Sequence, residues 1–201
     1  NAGSSVTGAG NVNFNGGSQN IAGNYNLTGT TQISAGTANF NSAASSTNVV
    51  LSNNAVLSGS GTFTDNGTFD WTGGTQNGTG STNIAAIGTL NISGAGFKLL
   101  DTRTLNNAGT TNLSGNSAQF NNGAVLNNSG TFNALDNAGF VNGNVGAFNN
   151  TGTFNKSGVG TTTDSGIAFN NTGSVQINSG TLSLTGGGTS TGSLGVASGA
   201  N

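Results

Sequence analysis

Polar and large apolar positions alternate in short bursts along the chain, each closed by glycine or by an Asn-rich turn. Leu105-Asn-Asn-Ala-Gly-Thr-Thr111, Leu126-Asn-Asn-Ser-Gly-Thr-Phe132, Phe148-Asn-Asn-Thr-Gly-Thr-Phe154 and Phe169-Asn-Asn-Thr-Gly-Ser-Val175 share one wording. Their starts at 105, 126, 148 and 169 give steps of 21, 22 and 21. Steps of 21 backwards reach Ile84-Ala-Ala-Ile-Gly-Thr-Leu90 and then Phe63-Thr-Asp-Asn-Gly-Thr-Phe69. Six successive units in one frame mark an internal repeat.

Within that frame, columns appear. The first position is always large and apolar: Phe63, Ile84, Leu105, Leu126, Phe148 and Phe169. The fifth is glycine in every unit: Gly67, Gly88, Gly109, Gly130, Gly152 and Gly173. The sixth is Thr68, Thr89, Thr110, Thr131, Thr153 and Ser174. The seventh is Phe69, Leu90, Thr111, Phe132, Phe154 and Val175, and the eighth is Asp70, Asn91, Asn112, Asn133, Asn155 and Gln176. From the sixth position onward, polar, apolar and polar residues alternate, which is the period of a strand with one buried face. The glycine before it suits a corner with positive φ. The pairs Asn106-Asn107, Asn127-Asn128, Asn149-Asn150 and Asn170-Asn171 suit turns, because Asn bonds its own backbone and tolerates left-handed conformations. The ninth column holds Trp71, Ile92, Leu113, Ala134, Lys156 and Ile177, so it is expected near a strand end, with the Lys156 ammonium turned to water.

A unit of this size cannot bury its own apolar side, but stacked copies can. The predicted fold is therefore all-β: a parallel β-solenoid (β-helix) with rungs of about 21 residues, neighbouring rungs about 4.8 Å apart. At most about 70 Å of extended chain per rung allows two or three short sides. Columns one and seven form the expected core stack, each large side chain contributing about 1.5–3 kcal/mol. The paired asparagines form ladders on the outside or at corners, each amide bonding the amides above and below. Residues 63–192 carry the regular rungs. Residues 1–62 are irregular rungs of the same solenoid, in which Val12-Asn-Phe14, Tyr25-Asn-Leu27 and Ala38-Asn-Phe40 recur at steps of 13, either as narrower rungs or as consecutive sides of wider ones. Residues 193–201 start a further rung or form an interface segment.

Composition sharpens this picture. Only 4% of residues are charged, with a net charge of −2. Stacked in register, a charged column would set like charges about 4.8 Å apart, so its scarcity fits the fold. The absence of proline fits as well, since each strand needs its N–H for the ladder. Weak charge argues against nucleic acid, which needs a row of cations for its phosphates, and against a polybasic membrane contact. No apolar run approaches the roughly 18 residues of a membrane helix. There is no cysteine and no histidine, so no disulfide framework, thiolate site or usual nucleophile–base pair is available. The chain opens at Asn1 without a signal segment, as expected of a mature chain or a slice of something longer.

The segments Phe148-Asn-Asn-Thr-Gly-Thr-Phe-Asn-Lys-Ser-Gly158, Ser179-Gly-Thr-Leu-Ser-Leu-Thr-Gly-Gly-Gly188 and Phe69-Asp-Trp-Thr-Gly-Gly74 resemble the repeats of very large bacterial secreted and cell-surface β-strand repeat proteins. These are related in style to autotransporter passengers and filamentous-haemagglutinin-like adhesins. The resemblance spans roughly residues 57–195 and implies a β-solenoid and an extracellular role. It brings no active-site residues.

Catalysis has only Asp65, Asp70, Asp101, Asp136 and Asp164 to draw on, and these read as solvated turn or corner residues. Asp101 and Asp164 fall at one corner three rungs apart, on the order of 14 Å, too far for a pair flanking a glycosidic bond. No Gly-Gly pair has an Asp at the spacing of the calcium-binding nonapeptide. Lys98 and Asp101-Thr-Arg103 read as a surface charge pairing. No enzyme activity, cofactor or metal is therefore expected. The leading expectation is a structural fibre segment at the bacterial surface, its uncapped ends pairing copy to copy. Alternatives are an adhesin module that binds glycan through a flat Thr/Asn face, and a functional amyloid whose repeats stack between chains.

Overall fold

The computed structural model describes residues 3–201, apart from the side chains of Asn142, Thr163 and Ser165. The described residues contain no helix, and about nine coils of roughly 20 residues stack into one parallel β-solenoid. Each coil has three sides. The first is built from Ser5–Gly8, Ser81–Ile84, Thr104–Asn107, Ala124–Asn128, Gly146–Asn150 and Ala168–Asn171, with parts of the longer strands between them. The second includes Thr89–Ile92, Thr110–Leu113, Thr131–Ala134, Thr153–Lys156, Ser174–Ile177 and Ser193–Val196. The third includes Val56–Ser58, Gly74–Gln76, Lys98–Asp101, Ala118–Asn121, Phe140–Asn142, Thr161–Ser165 and Thr181–Leu184. Every strand pairs in parallel with its equivalent one coil away, as in Thr110↔Thr131, Phe132↔Phe154 and Leu126↔Phe148.

The inward alternation of all three sides fills a single core. Phe63, Ile84, Leu105, Leu126, Phe148, Phe169, Phe69, Leu90, Phe132, Phe154 and Val175 are all buried in it. The rings gather at two levels. Phe14, Tyr25, Phe40 and Phe63 form the lower cluster, with Tyr25 and Phe40 centroids 5.0 Å apart. In the upper cluster Phe148 and Phe169 stack at 5.2 Å with an interplanar angle of 11°. Trp71 and Tyr25, which lie outside the two main sequence columns, are also in the core.

The recurrence at steps of 13 near the N-terminus resolves into geometry. The step from coil to coil there is 19, as Val6↔Tyr25 and Ala44↔Phe63 show. Thirteen is about two-thirds of that step, so successive motifs skip one side. Val12–Phe14 lies on the second side against 31–33, Tyr25–Leu27 on the first against 44–46, and Ala38 on the third against Leu57.

Two expectations need correction. Ile84 does not stand between Phe63 and Leu105. Thr82 does, with a step of 19 below it and a step of 23 above. These sum to twice 21, so the sequence frame passes unbroken over a slip of two positions. Alternate strand residues face the same way, so a slip of two keeps Ile84 inward, now between Asp65 and Asn107.

The second correction concerns the glycines. Gly67, Gly88, Gly109, Gly130, Gly152 and Gly173 lie where the first side bends into the second, but none of them adopts positive φ. Close backbone stacking explains them instead. Thr131 donates its N–H to the Gly109 carbonyl at 2.9 Å, and Thr153 to that of Gly130 at 2.9 Å. A Cβ on Gly109, Gly130, Gly152 or Gly173 would collide with the carbonyl oxygen of the corner glycine one coil below. Positive φ occurs at the bend from second to third side, at Gly94, Gly115, Gly160 and Gly180 among others.

Gly130→Ala is therefore expected to lower unfolding stability by several kcal/mol, as overpacking against unyielding backbone does, on the order of 3 kcal/mol or more. Gly10→Ala, where a Cβ meets nothing and φ is not positive, should stay within about 0.5 kcal/mol of the parent in the same denaturant titration.

Candidate functional site

The polar side chains of the repeat line up as ladders, and the two asparagines of each pair do different work. Asn106, Asn127, Asn149 and Asn170 point outward and continue a ladder begun by Asn83. Each Nδ2 donates to the Oδ1 one coil below, at 2.8 Å for Asn106 to Asn83 and 2.9 Å for Asn127 to Asn106. Asn149 and Asn170 repeat this at 2.9 Å. The second asparagines form their ladder at the corner, one of the two places expected, and they do so with their side chains turned inward. Asn107, Asn128, Asn150 and Asn171 are buried at the bend. Here each Nδ2 donates upward, Asn107 to Asn128 at 2.7 Å, Asn128 to Asn150 at 2.7 Å and Asn150 to Asn171 at 2.8 Å. The other amide hydrogen reaches a backbone carbonyl, such as Thr131 at 3.1 Å from Asn107 or Thr153 at 3.0 Å from Asn128. Serine closes the inner ladder at the top, where Asn171 donates to the Ser190 hydroxyl at 3.1 Å. At the bottom the Asn107 Oδ1 has no partner, because Ile84 stands beneath it.

A third ladder runs along the outer face of the second side from Asp70 through Asn91, Asn112 and Asn133 to Asn155, at 2.9–3.1 Å per step. A fourth turns the corner after the third side, from Asp101 through Asn122 to Asn144. Asp70 and Asp101 thus serve as the acceptors from which ladders start. The carboxylate of Asp136 accepts the Gly115 and Ala138 amides, both at 2.7 Å.

Several charged residues lie where the sequence did not place them. Asp65 is buried in a strand rather than on a solvated turn. Asp164 is buried in the column of Lys98, Ala118 and Phe140, while Asp101 faces outward. Burial pushes both Asp65 and Asp164 from an ordinary 3.8 up to about 7; the Gly67 amide opposes this at Asp65 and the nearby Asp70 charge adds to it. Lys98 and Arg103 do not form a surface pairing with Asp101. Lys98 is buried and donates to the carbonyls of Ser93, Gly94 and Gly96 at 3.0–3.2 Å. Arg103, also buried, threads into a cage of oxygens: the Thr82 hydroxyl at 2.8 Å and the carbonyls of Ser81, Asn77 and Gly59 at 2.7, 3.0 and 3.2 Å. Desolvation lowers the pKa of its guanidinium to about 10. Lys156 does not reach water either. Its stem lies in the core column between Ala134 and Ile177, and its ammonium donates to the Gly158 carbonyl. In each case backbone carbonyls at or beside a bend accept the cation, some of them, such as Gly94 and Gly59, while also accepting a backbone N–H, a pattern the residue columns cannot reveal. No group of three metal-ligating side chains occurs among the described residues.

Two surfaces remain for contact with other molecules. One is the flat second side, where Thr68, Thr89, Thr110, Thr131 and Thr153 run half-buried beside the Asp70–Asn155 ladder. The other is the top of the stack. There Leu184, Leu194 and Val196 are 45%, 62% and 52% exposed. Leu184 and Leu194 edge a cavity of about 230 Å³ that Phe169, Val175, Gly188 and Asn171 also line. The chain matches no protein-family model, no curated protein and no solved structure.

Asn128→Ala should cost on the order of 2–3 kcal/mol, because it strands buried ladder partners, whereas Asn127→Ala on the outer ladder should cost about 1 kcal/mol or less. Urea unfolding of the two variants compares them directly. The buried carboxyls set a pH dependence. The unfolded chain releases these protons near 3.8, while the folded interior holds them to about 7. Their stabilising contribution is thus complete below about pH 4 and lost as pH rises through about 7. Unfolding midpoints should fall across that window, and Asp65→Asn with Asp164→Asn should flatten the curve.

Proposed function

We propose that the chain is a non-catalytic structural segment of an extracellular bacterial surface fibre, and that it assembles by end-to-end stacking of its open solenoid ends. The observation that carries this reading is the likeness of the two ends. The coil step is 19 at the bottom, as in Val6↔Tyr25, and 19 again at the top, as in Ser174↔Ser193. Between them, the first-side steps above Thr82 widen to 21–23. Residues 1–64 and 165–201 hold no charged side chain, so stacking of these coils sets no like side-chain charges together. Both ends expose inward-column apolar side chains, Val6 below and Leu194 and Val196 above. An uncovered parallel edge with unpaired backbone groups accepts a further strand on each side, and a head-to-tail contact of this kind propagates into a filament.

Several features support a role without catalysis. Asp70, Asp101 and Asp136 are engaged in structural hydrogen bonds, and Asp65 and Asp164 are buried. The resemblance to large secreted β-strand repeat proteins supports the extracellular setting, with the style of autotransporter passengers and filamentous-haemagglutinin-like adhesins. The ladders close within one chain, which favours assembly of folded units over an amyloid that orders only between chains. A second reading, an adhesin module for glycans, draws on the threonine column beside the Asp70–Asn155 ladder, a regular polar strip on a flat face.

Electron microscopy of the purified chain over a range of concentrations tests the proposal. Thin unbranched filaments with an axial repeat of about 45 Å, the height of about nine rungs, are expected. Discrete short rods at every concentration would remove self-assembly, and a glycan-binding screen would then decide the second reading.

A further inference from the structure

We infer that the stacked ends meet in one rotational seat, with the second side of one copy over the second side of the next and Val6 of the upper copy entering the cavity above Gly188. This rests on the end-to-end reading above and specifies how that contact is keyed.

The cavity exists because a column stops early. On the first side the inward column runs Val6, Tyr25, Ala44, Phe63, Thr82, Leu105, Leu126, Phe148, Phe169. Asn171 bridges to Ser190, so the next place in the column falls to Gly188, which offers no side chain. The stacked rings of Phe148 and Phe169 therefore end beneath a hole of about 230 Å³ walled by Val175, Leu184 and Leu194. Val6, the first described member of that same column, is 38% exposed.

A three-sided coil has three ways to sit on another, and the apolar columns distinguish them. In the aligned seat Val6 faces Gly188, Val12 faces Leu194 and Phe14 faces Val196, so each apolar column continues across the seam. Turning the upper copy one way sets Gln19 over the Gly188 hole. Turning it the other way sets Gln19 over Leu194. Either way the Gln19 side chain, whose Nε2 donates to the Gly16 carbonyl at 2.7 Å and whose Oε1 has no partner, meets an apolar surface that offers that oxygen no donor. Only the aligned seat brings Gln19 to the third side, where Asn201 already pairs with the Leu182 N–H at 2.9 Å and lines the edge with polar groups.

The chain contains no cysteine, so cross-linking reads the seat cleanly. Ser193 is an exposed residue just before Leu194, and Asn11, Ser5 and Ser18 are the exposed residues just before the inward Val12, Val6 and Gln19. Each marks one side of the bottom coil. Ser193→Cys protein is mixed in turn with Asn11→Cys, Ser5→Cys or Ser18→Cys protein under filament-forming conditions and mild oxidation. Paired strands hold Cα atoms about 4.8 Å apart, within the disulfide range. The Asn11→Cys mixture should yield cross-linked dimer at least tenfold faster than the other two. Faster cross-linking with Ser5→Cys or Ser18→Cys overturns the seat, as does filament formation without any cross-link. In either case the filaments would leave end-to-end assembly standing. Cross-linking of Ser193→Cys protein with itself would show top-to-top contact and overturn both. Val6→Asp, at a position partly open to water in the single rod, should raise the concentration needed for filaments at least tenfold while leaving the melting curve of the rod unchanged. Unaltered assembly by Val6→Asp overturns the role of Val6.

Discussion

Parallel stacking in register at about 4.8 Å is the constraint on which everything else in this molecule depends, because it makes every residue the neighbour of its own equivalent. A side chain is therefore selected for what it does beside a copy of itself. Phenylalanine and leucine pack on their like. Asparagine carries both donor and acceptor on one planar group, so it satisfies its own copy indefinitely, whereas lysine or aspartate would repel its copy. Glycine repeats at the bend because the carbonyl of the glycine below fills the place of a Cβ. One distance thus explains both the 4% charge and the recurring corner glycines.

The exceptions follow the same logic. Lys98, Arg103 and Lys156 are each the one cation of their column, with Gly74 and Ala118 on either side of Lys98 and Ala134 and Ile177 on either side of Lys156. A lone cation meets no like charge, and backbone carbonyls around a bend, whose second lone pair is open to a further donor, serve as its partners. Gly74 and Ala118 around Lys98, and Ala134 below Lys156, leave room for the long stems. The inner and outer asparagine ladders also oppose one another: the buried amides donate towards the C-terminal end and the outer ones towards the N-terminal end, so their dipoles partly cancel along the axis.

The repeat, the parallel solenoid and the columns of Leu105, Leu126, Phe148 and Phe169 were legible because hydrophobic spacing records which side chains face inward. What spacing does not record is distance between backbones. The glycines looked like positive-φ corners, since both causes leave the same residue. The slip at Ile84 was invisible because a step of 19 followed by a step of 23 restores the frame and preserves the strand's parity. The corner ladder of the second asparagines was foreseen, but not its burial, because polarity alone does not reveal that a ladder satisfied by its own copies faces inward. The buried positions of Asp65, Asp164 and the three cations were hidden for a related reason. Each occurs once per column, so no periodicity announces it. The open upper cavity depended on a glycine falling where a ring was due, which only the register of Asn171 with Ser190 discloses.

The strand-to-strand hydrogen bonds run nearly parallel to the long axis, and this governs how the rod answers to tension. A pull along the axis loads a terminal rung first and peels it from the stack while the rungs behind it stay closed. Each rung that yields frees its whole contour, roughly 65–80 Å of chain at about 3.4 Å per residue. Because successive rungs are near copies, they yield at similar forces, one after another. A rod of this design lengthens in even increments at nearly constant force and rewinds from whatever stack remains, so it would behave as a shock absorber before it behaved as a rigid strut.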